Sequence, residues 1–533
     1  MKKFSHPFPA LFILSLALFV CASGHKGETF RVNPKLLKSA CNATLYPDVC
    51  ISTLQSQSYE ESLKSEILMK DMAIVSVKVS LEEVKKLSFV ASSQSVLLSS
   101  GDENKLAAIK DCEVLFKYTV RQLNESLTLL RKSGDWKNEQ KEDVQTWLSA
   151  SLTDQVTCIE GFKGVSDFYA ESVRNVSKVV SNSLAIVNSL PVAIVSPGQN
   201  KRRLFADGEL DLPSWISPTD RRLLQSSPAG GVTVNAVVAK DGTGNFRSIS
   251  EAVKAAPSWS KGRYVIHVKA GVYAESVKVY TDNIMLVGDG KYATVVTGSN
   301  HGSIQSVATF AATGKGFIAR DMGFENAAGA SAGQSVALRV SSDLSVLYRC
   351  SIKGFQDTLY AYSQRQFYRE CDILGTVDFI FGDASAVFQS CNIMSRKRQK
   401  KPNVITAQGR SDPNQNTGFS IHNCRISAES IQTFLGRPWM PYSRTVVMQS
   451  FLDGNIDPAG WAVWEGSYGL KTLYFAEYMN SGPGAGLSRR VSWPGFHVIT
   501  DAAEASKYTV AQFISGNSWL PSTGVAFQSG LLR

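Results

Sequence analysis

The chain has 533 residues, 44% of them hydrophobic: too long for one ordinary domain and apolar enough for more than one core. Its net charge of +10 is unevenly spread, because residues 225–533 carry 29 Lys and Arg against 21 Asp and Glu, giving +8, whereas residues 25–224 carry 25 of each. A basic second half speaks for a polyanionic partner, and the lack of a basic helix or a nucleic-acid motif argues against DNA or RNA in an exported chain.

Residues 1–24 read as a signal peptide: Lys2 and Lys3, an apolar run from Ala10 to Cys21, then Ala22-Ser23-Gly24. The run is too short to span a bilayer, so the expectation is a secreted protein with no membrane attachment after cleavage. Over residues 25–195 apolar positions recur at helical spacing, as in Ile109, Cys112, Phe116, Val120, Leu123, Leu127 and Leu130. Leu68, Met72, Val75 and Val79 mark a second face, Leu148, Leu152, Val156 and Ile159 a third, and Val176, Val180, Leu184 and Val187 a fourth. This predicts an all-α four-helix bundle, with acceptor sequons at Asn42, Asn124 and Asn175. Apart from Cys21, four cysteines fall in this half and four in the next (Cys350, Cys371, Cys391 and Cys424), even numbers that suit disulfides in an exported chain. With no CxxC pair, no histidine cluster and six histidines in all, no metal or other cofactor is expected. Residues 196–231 are rich in Pro, Ser and Gly and hold Lys201-Arg202-Arg203-Leu204 and Arg221-Arg222-Leu223-Leu224. They read as an exposed linker open to a processing protease.

Residues 232–533 change to short runs of Val, Ile, Tyr and Phe. Similar segments recur around Cys350, Cys371 and Cys391, 21 and then 20 residues apart, a period that predicts a parallel β-helix. Stacked coils lie roughly 4.8 Å apart, which would set Asp357 beside Asp378, one coil on, and bring Gln334 and Gln356 close to both. Arg437 lies too far along for coil counting to place. Two carboxylates this close cannot easily both ionise, so one is left as nucleophile and the other as proton donor. A retaining glycosidase fits such a pair, but amide donors serve the oxyanion of an attacked carbonyl, which favours acyl transfer. The G-x-S-x-G match at residues 329–333 lacks the strand and helix that a nucleophile elbow needs.

Five ordered segments, Gly271-Val272-Tyr273-Ala274-Glu275, Gln334-Ser335-Val336-Ala337-Leu338, Gln356-Asp357-Thr358-Leu359, Asp378-Phe379-Ile380-Phe381-Gly382 and Leu435-Gly436-Arg437-Pro438-Trp439, resemble the signature segments of the pectin methylesterases. The helical half, with Cys41-Asn42-Ala43-Thr44-Leu45-Tyr46-Pro47-Asp48-Val49-Cys50, resembles the inhibitor domain fused ahead of the enzyme in many plant members. The resemblance implies a right-handed β-helix that removes methyl esters from the galacturonate units of pectin (homogalacturonan) in the extracellular cell wall. It implies Asp378 as nucleophile, Asp357 as proton donor, Gln334 and Gln356 at the oxyanion, and Arg437 holding Asp378 and substrate. Trp439 and Trp461 are then expected to stack on sugar rings, with Tyr360 and Phe381 as further cleft aromatics. It also implies the pairings Cys41–Cys50, Cys112–Cys158 and Cys371–Cys391, although Cys350 is almost as well spaced for the last. Separate pectin methylesterase inhibitor proteins are further expected partners, and the helical half is expected to inhibit the enzyme until it is cleaved off. Two departures stand out: residues 301–306 are short for the family, and Asp383 stands where Asn is common, either shifting the pH dependence of Asp378 or facing solvent. The rivals are a β-helix enzyme that cuts the pectin chain, whose polygalacturonase or calcium-lyase motifs are missing, and an inactive inhibitor or wall-binding protein.

Overall fold

The computed structural model describes residues 34–532 except 56–64, 98–102, 133–135, 164–167, 193–232, 259–261, 303–306, 399–401 and 430–431. The signal peptide, the linker with Arg221-Arg222-Leu223-Leu224, and most of the 301–306 segment therefore lie outside the described residues.

The described residues of the first half hold six helices: α1 (Pro34–Asn42), α2 (Pro47–Gln55), α3 (Ser65–Leu97), α4 (Glu103–Leu130), α5 (Asn138–Gly161) and α6 (Phe168–Ser189). The last four form the expected bundle; α1 and α2 are a hairpin joined by the Cys41–Cys50 disulfide, and Cys112–Cys158 ties α4 to α5. On α4 the predicted apolar face is buried except for half-buried Val120. On α3 the buried face is rotated to Met72, Ala73, Ser76, Val77, Ser80 and Leu81, leaving Val75 and Val79 half-exposed. The serines explain the shift: Ser76 and Ser80 hydroxyls meet Ser183 of α6 at 2.6 and 3.0 Å, so polar residues occupy a face that hydropathy assigns to the outside. Asn42, Asn124 and Asn175 are all exposed.

Among the described residues the second half winds into three parallel sheets of eleven, seven and eight strands, a complete coil adding one strand to each. Stacking is in register: Ile352, Ile373, Ile393 and Ile426 form one internal column, all fully buried. Burying each such side chain is worth about 1.5–3 kcal/mol. The corner before this column is a single left-handed residue on each coil, Arg349, Glu370, Ser390 and Asn423, with φ between 49° and 55°. Cys350, Cys371, Cys391 and Cys424 follow those corners as a second internal column.

The expected Cys371–Cys391 bond is not present; all four thiols of this column are free and buried. In-register stacking aims both Cβ–Sγ vectors the same way into the core instead of toward each other. Each thiol instead donates to a carbonyl of the preceding coil, Cys371 to Leu347 at 3.3 Å and Cys391 to Tyr368 at 3.5 Å.

The outer face of the eleven-stranded sheet is covered by the chain's own end, where Val510, Ile514, Trp519 and Leu520 pack on Val265, Ile318, Val346 and Phe367. The outer face of the seven-stranded sheet is covered by the helical half. From Val144 to Gln155 helix α5 is buried on nearly every side, because one face packs in the bundle and the other meets this sheet. The contact combines an apolar seam, where Val307, Val336, Tyr360, Phe381 and Ala407 join the helical core, with polar pairs: Tyr362 donates to Asp154 at 2.8 Å, Thr153 to Asp383 at 2.7 Å, and Asn416 to Thr146 at 2.9 Å. Arg365 bridges Asp343 of its own half at 2.7 Å and Asp143 of α5 at 2.8 Å. Such an interface resembles those of partners that separate.

Burial pushes the Asp154 carboxyl up to about 7, against the hydrogen bond from Tyr362 and the charge of Arg339. To the extent that separating the halves returns Asp154 to water, its carboxyl falls back toward its ordinary value of 3.8, and docking takes up a proton. The contribution is complete below the ordinary value and is lost as pH rises through about 7. A chain cut in the linker is therefore expected to stay associated at acid pH and to separate more readily on the alkaline side, with Asp154→Asn flattening the response. Size-exclusion chromatography across that range checks this, and an association indifferent to pH would contradict it.

Candidate active site

Asp357 stands just before the strand Leu359–Ala361 and Asp378 within the next strand of the same sheet, Val377–Gly382. Leu359 pairs with Ile380 and Tyr360 with Phe381, so the two acids occupy equivalent places on successive coils. Both are left-handed, φ 61° and 51°, a conformation that costs a residue with a side chain roughly 1–2 kcal/mol and is sustained where surroundings fix it. Asp378 also falls where the register with Asn403–Gln408 shifts, a bulge of the kind that re-aims a side chain. Gly382 ends this strand at φ 123°, and a Cβ there would lie 2.1 Å from the Ala361 carbonyl oxygen, so only glycine lets the coils stack this closely beside the acids.

The two carboxylates are 4% and 5% exposed but differ in their partners. Arg437, on the strand Thr433–Pro438, donates from Nε to Asp378 Oδ1 at 2.9 Å and from Nη2 to Oδ2, a bidentate, charge-assisted pair. Burial raises the Asp378 carboxyl, and Arg437 opposes that rise. Burial and then the Asp378 charge push Asp357 well above the carboxylate range, with a hydrogen bond from Gln334 and the charge of Arg437 pulling weakly back. One acid is thus favoured as an anion and its neighbour as a neutral donor.

A cavity of about 500 Å³ opens over the pair, floored by Gln334, Gln356, Tyr360, Phe381 and Arg437 and flanked by Trp439 and Trp464. Tyr360 and Phe381 stack at 4.2 Å with their planes 12° apart, and Trp439 lies 6.0 Å from Phe381. The opposite wall is α4 and α5, through Asp111, Val156, Thr157 and Glu160, with Lys163 just past the end of α5.

The expected role of Trp461 does not hold. It is 1% exposed, stacks on Phe475 at 4.4 Å and belongs to the internal core, because its bridge to Gly436 continues the inner stack. Trp464, missed in the sequence, flanks the cleft with the Arg437 guanidinium 4.3 Å over its ring. Asp383 does not face solvent: it is buried and accepts from Thr417, Gln415, Gln408 and Thr153, and burial pushes it up to about 7 against those donors.

Comparison with known proteins accounts for both halves. The family model described as pectinesterase matches residues 235–517, and the model described as plant invertase/pectin methylesterase inhibitor matches residues 35–186. "Pectinesterase 2" of Citrus sinensis is 44% identical over 97% of this chain and 99% of its own. "Probable pectinesterase/pectinesterase inhibitor 17" of Arabidopsis thaliana is 47% identical over 94% of this chain and 95% of its own. A solved structure, "Pectin methylesterase from Carrot", superposes with a TM-score of 0.56 at 51% identity, covering 58% of this chain and all of its own, about the share that the β-helix half makes up. With a pectinesterase β-helix, two unlike carboxylates in its cleft and an inhibitor-like bundle ahead of it, the chain belongs to the pectinesterase family and is a pectin methylesterase, a carboxylic ester hydrolase acting on the methyl esters of pectin.

Proposed function

We propose that Asp378 attacks the methyl-ester carbonyl carbon of a galacturonate unit; the observation that carries this is the unequal pairing of the two acids, one clamped by Arg437 and the other pressed toward neutrality. The displaced electrons go to the carbonyl oxygen, where the Gln334 and Gln356 amides donate to the oxyanion, one such donor being worth roughly 3 kcal/mol. Collapse expels methanol as its oxygen takes the Asp357 proton. Asp357, now a base, takes a proton from water, which attacks the acyl-enzyme and releases the free galacturonate carboxylate and Asp378. Tyr360, Phe381, Trp439 and Trp464 give the polymer apolar ring faces, and the +8 half attracts its anionic stretches.

Asp378→Asn is expected to abolish methanol release from methylated pectin, because an amide cannot attack, and Asp357→Asn to cut turnover by about 10²–10⁴. Near-wild-type methanol release from either variant overturns the assignment, and new reducing ends in place of methanol favour the chain-cutting reading.

Activity should need Asp378 ionised and Asp357 protonated, so the acid limb of the pH profile belongs to Asp378 and the alkaline limb to Asp357. Arg437→Gln removes the charge that holds Asp378 down, and the acid limb should move to higher pH. An unmoved limb, with only KM raised, would leave Arg437 a substrate contact alone.

The helical half is proposed to hold the enzyme inactive during secretion to the wall, since α4 and α5 form one wall of the cleft where polymer would lie. Through the 196–231 linker its effective concentration is roughly millimolar, and cleavage at Arg221-Arg222-Leu223-Leu224 by a processing protease removes that advantage. Changing Arg202, Arg203, Arg221 and Arg222 to Ala should give an uncut precursor with poor activity or export. An uncut chain exported and active like the wild type would contradict this role.

A further inference from the structure

Three helices of the first half each contribute a pair of residues one turn apart to a single cleft: Val49 and Thr53 of α2, Val79 and Glu83 of α3, and Asn175 and Val179 of α6. Each pair sets one valine beside one polar residue, and the three valines are half-buried. The cleft measures about 400 Å³, within the roughly 300–1,000 Å³ usual for small-molecule sites. An apolar floor ringed by a hydroxyl, a carboxylate and an amide suits a ligand that is itself two-sided. A sugar ring is such a ligand, with C–H groups on its faces and hydroxyls along its edge.

One wall of the cleft belongs to a sequon. Asn175-Val176-Ser177 is one of the chain's three, all of them within residues 25–195 and none within 225–533. Asn175 is exposed, and Lys178 donates to its Oδ1 at 2.9 Å, which leaves Nδ2 as the atom to take a sugar. At Asn124, by contrast, Nδ2 donates to the Val120 carbonyl of its own helix at 2.8 Å. Helix α2 has the most to gain from a ligand here. Its nine residues are too few for a helix to stand alone, and of them Cys50 and Leu54 are buried. Its disulfide runs to α1, which is equally short, so the bond closes the hairpin without tying it to the bundle. The Tyr46 backbone, just ahead of α2, exchanges hydrogen bonds with Asn182 of α6 at 3.3 and 2.9 Å.

We propose that Asn175 carries an N-linked glycan whose first N-acetylhexosamine residues seat in this cleft and fasten α2 to α3 and α6. In the transfer, the bond from the sugar C1 to the diphosphate of a lipid-linked oligosaccharide breaks and the bond from C1 to Nδ2 forms; the lipid diphosphate leaves and Nδ2 gives up a proton. The seated sugar sets its C–H face and acetyl methyl on Val49, Val79 and Val179, and its polar edge toward Thr53 and Glu83. Because no sequon follows residue 195, cleavage in the linker removes every such glycan together with the helical half. The sugar therefore serves the precursor and not the released β-helix.

The test uses the full-length precursor, purified from the membrane fraction of a glycosylating eukaryotic host. Glycopeptide mass spectrometry should find Asn175 occupied. Amide hydrogen exchange is then compared between the glycosylated chain and Ser177→Ala, which loses the sugar but keeps Asn175. Alanine favours a helix more than serine does, so without a sugar contact this change would leave exchange as it was or slow it. The expected result is exchange faster by about three- to tenfold in residues 47–55, the loss that comes from uncovering one or two buried methyl groups. Removing the sugar enzymatically from the folded wild type should give the same rise, which keeps the test decisive if the variant is poorly made. Val179→Ser should speed exchange in the glycosylated chain and do less once the sugar is gone, whereas Asn124→Gln should leave residues 47–55 unchanged. An unoccupied Asn175, or exchange in α2 indifferent to the sugar, overturns the proposal. So does a Val179→Ser effect of equal size with and without the glycan, which would mean that the sugar stands clear of the cleft.

Discussion

In-register stacking of parallel coils is the constraint on which the rest depends. Because each strand sits about one spacing from its equivalent on the next coil, whatever one coil presents is repeated beside itself. Inside, this makes columns of identical residues such as Ile352, Ile373, Ile393 and Ile426. Outside, it makes the aromatic stack of Tyr360 on Phe381 and forces Asp357 and Asp378 into proximity. Two like charges at that separation in a site only a few per cent exposed are unfavourable unless one is quenched. Arg437, from two strands further on, decides which: it clamps Asp378 and leaves the proton to Asp357.

The same repetition makes a flat, extended outer face suited to a polymer and equally to a helix pair. Helices α4 and α5 meet it partly through polar contacts, several of them to acids, including Asp154 with Tyr362 and Asp383 with Thr153. These hydrogen bonds and buried carboxyls sit beside an apolar seam in which Val307, Val336, Tyr360, Tyr362, Phe381 and Ala407 join the helical core. They also explain why polar residues of α5, such as Thr146, Ser149 and Thr153, are as buried as its leucines.

Much of this was legible in the sequence, because a period near 20 residues survives as spacing between Cys350, Cys371 and Cys391 and between the two acids. Where the period is broken, spacing failed: the inserts between Ser395 and Thr433 hide Arg437 from coil counting, although its strand lies only two steps from Asp378. Trp461 and Trp464 differ by which side of the wall each turns to, and hydropathy cannot tell one indole from the other. The free thiol column shows a different limit, since residues one coil apart can be close and still point in parallel. The serine-lined contact of α3 with α6 misled because hydropathy counts Ser as surface even when two of them satisfy each other.

The central claim is that neighbouring acids are held in opposite protonation states. Infrared difference spectroscopy at neutral pH measures this directly, by comparing the protonated-carboxyl band of the wild type with that of Asp357→Asn and Asp378→Asn. The account predicts that a protonated-carboxyl component disappears with Asp357→Asn; a component that survives Asp357→Asn and vanishes with Asp378→Asn would contradict it.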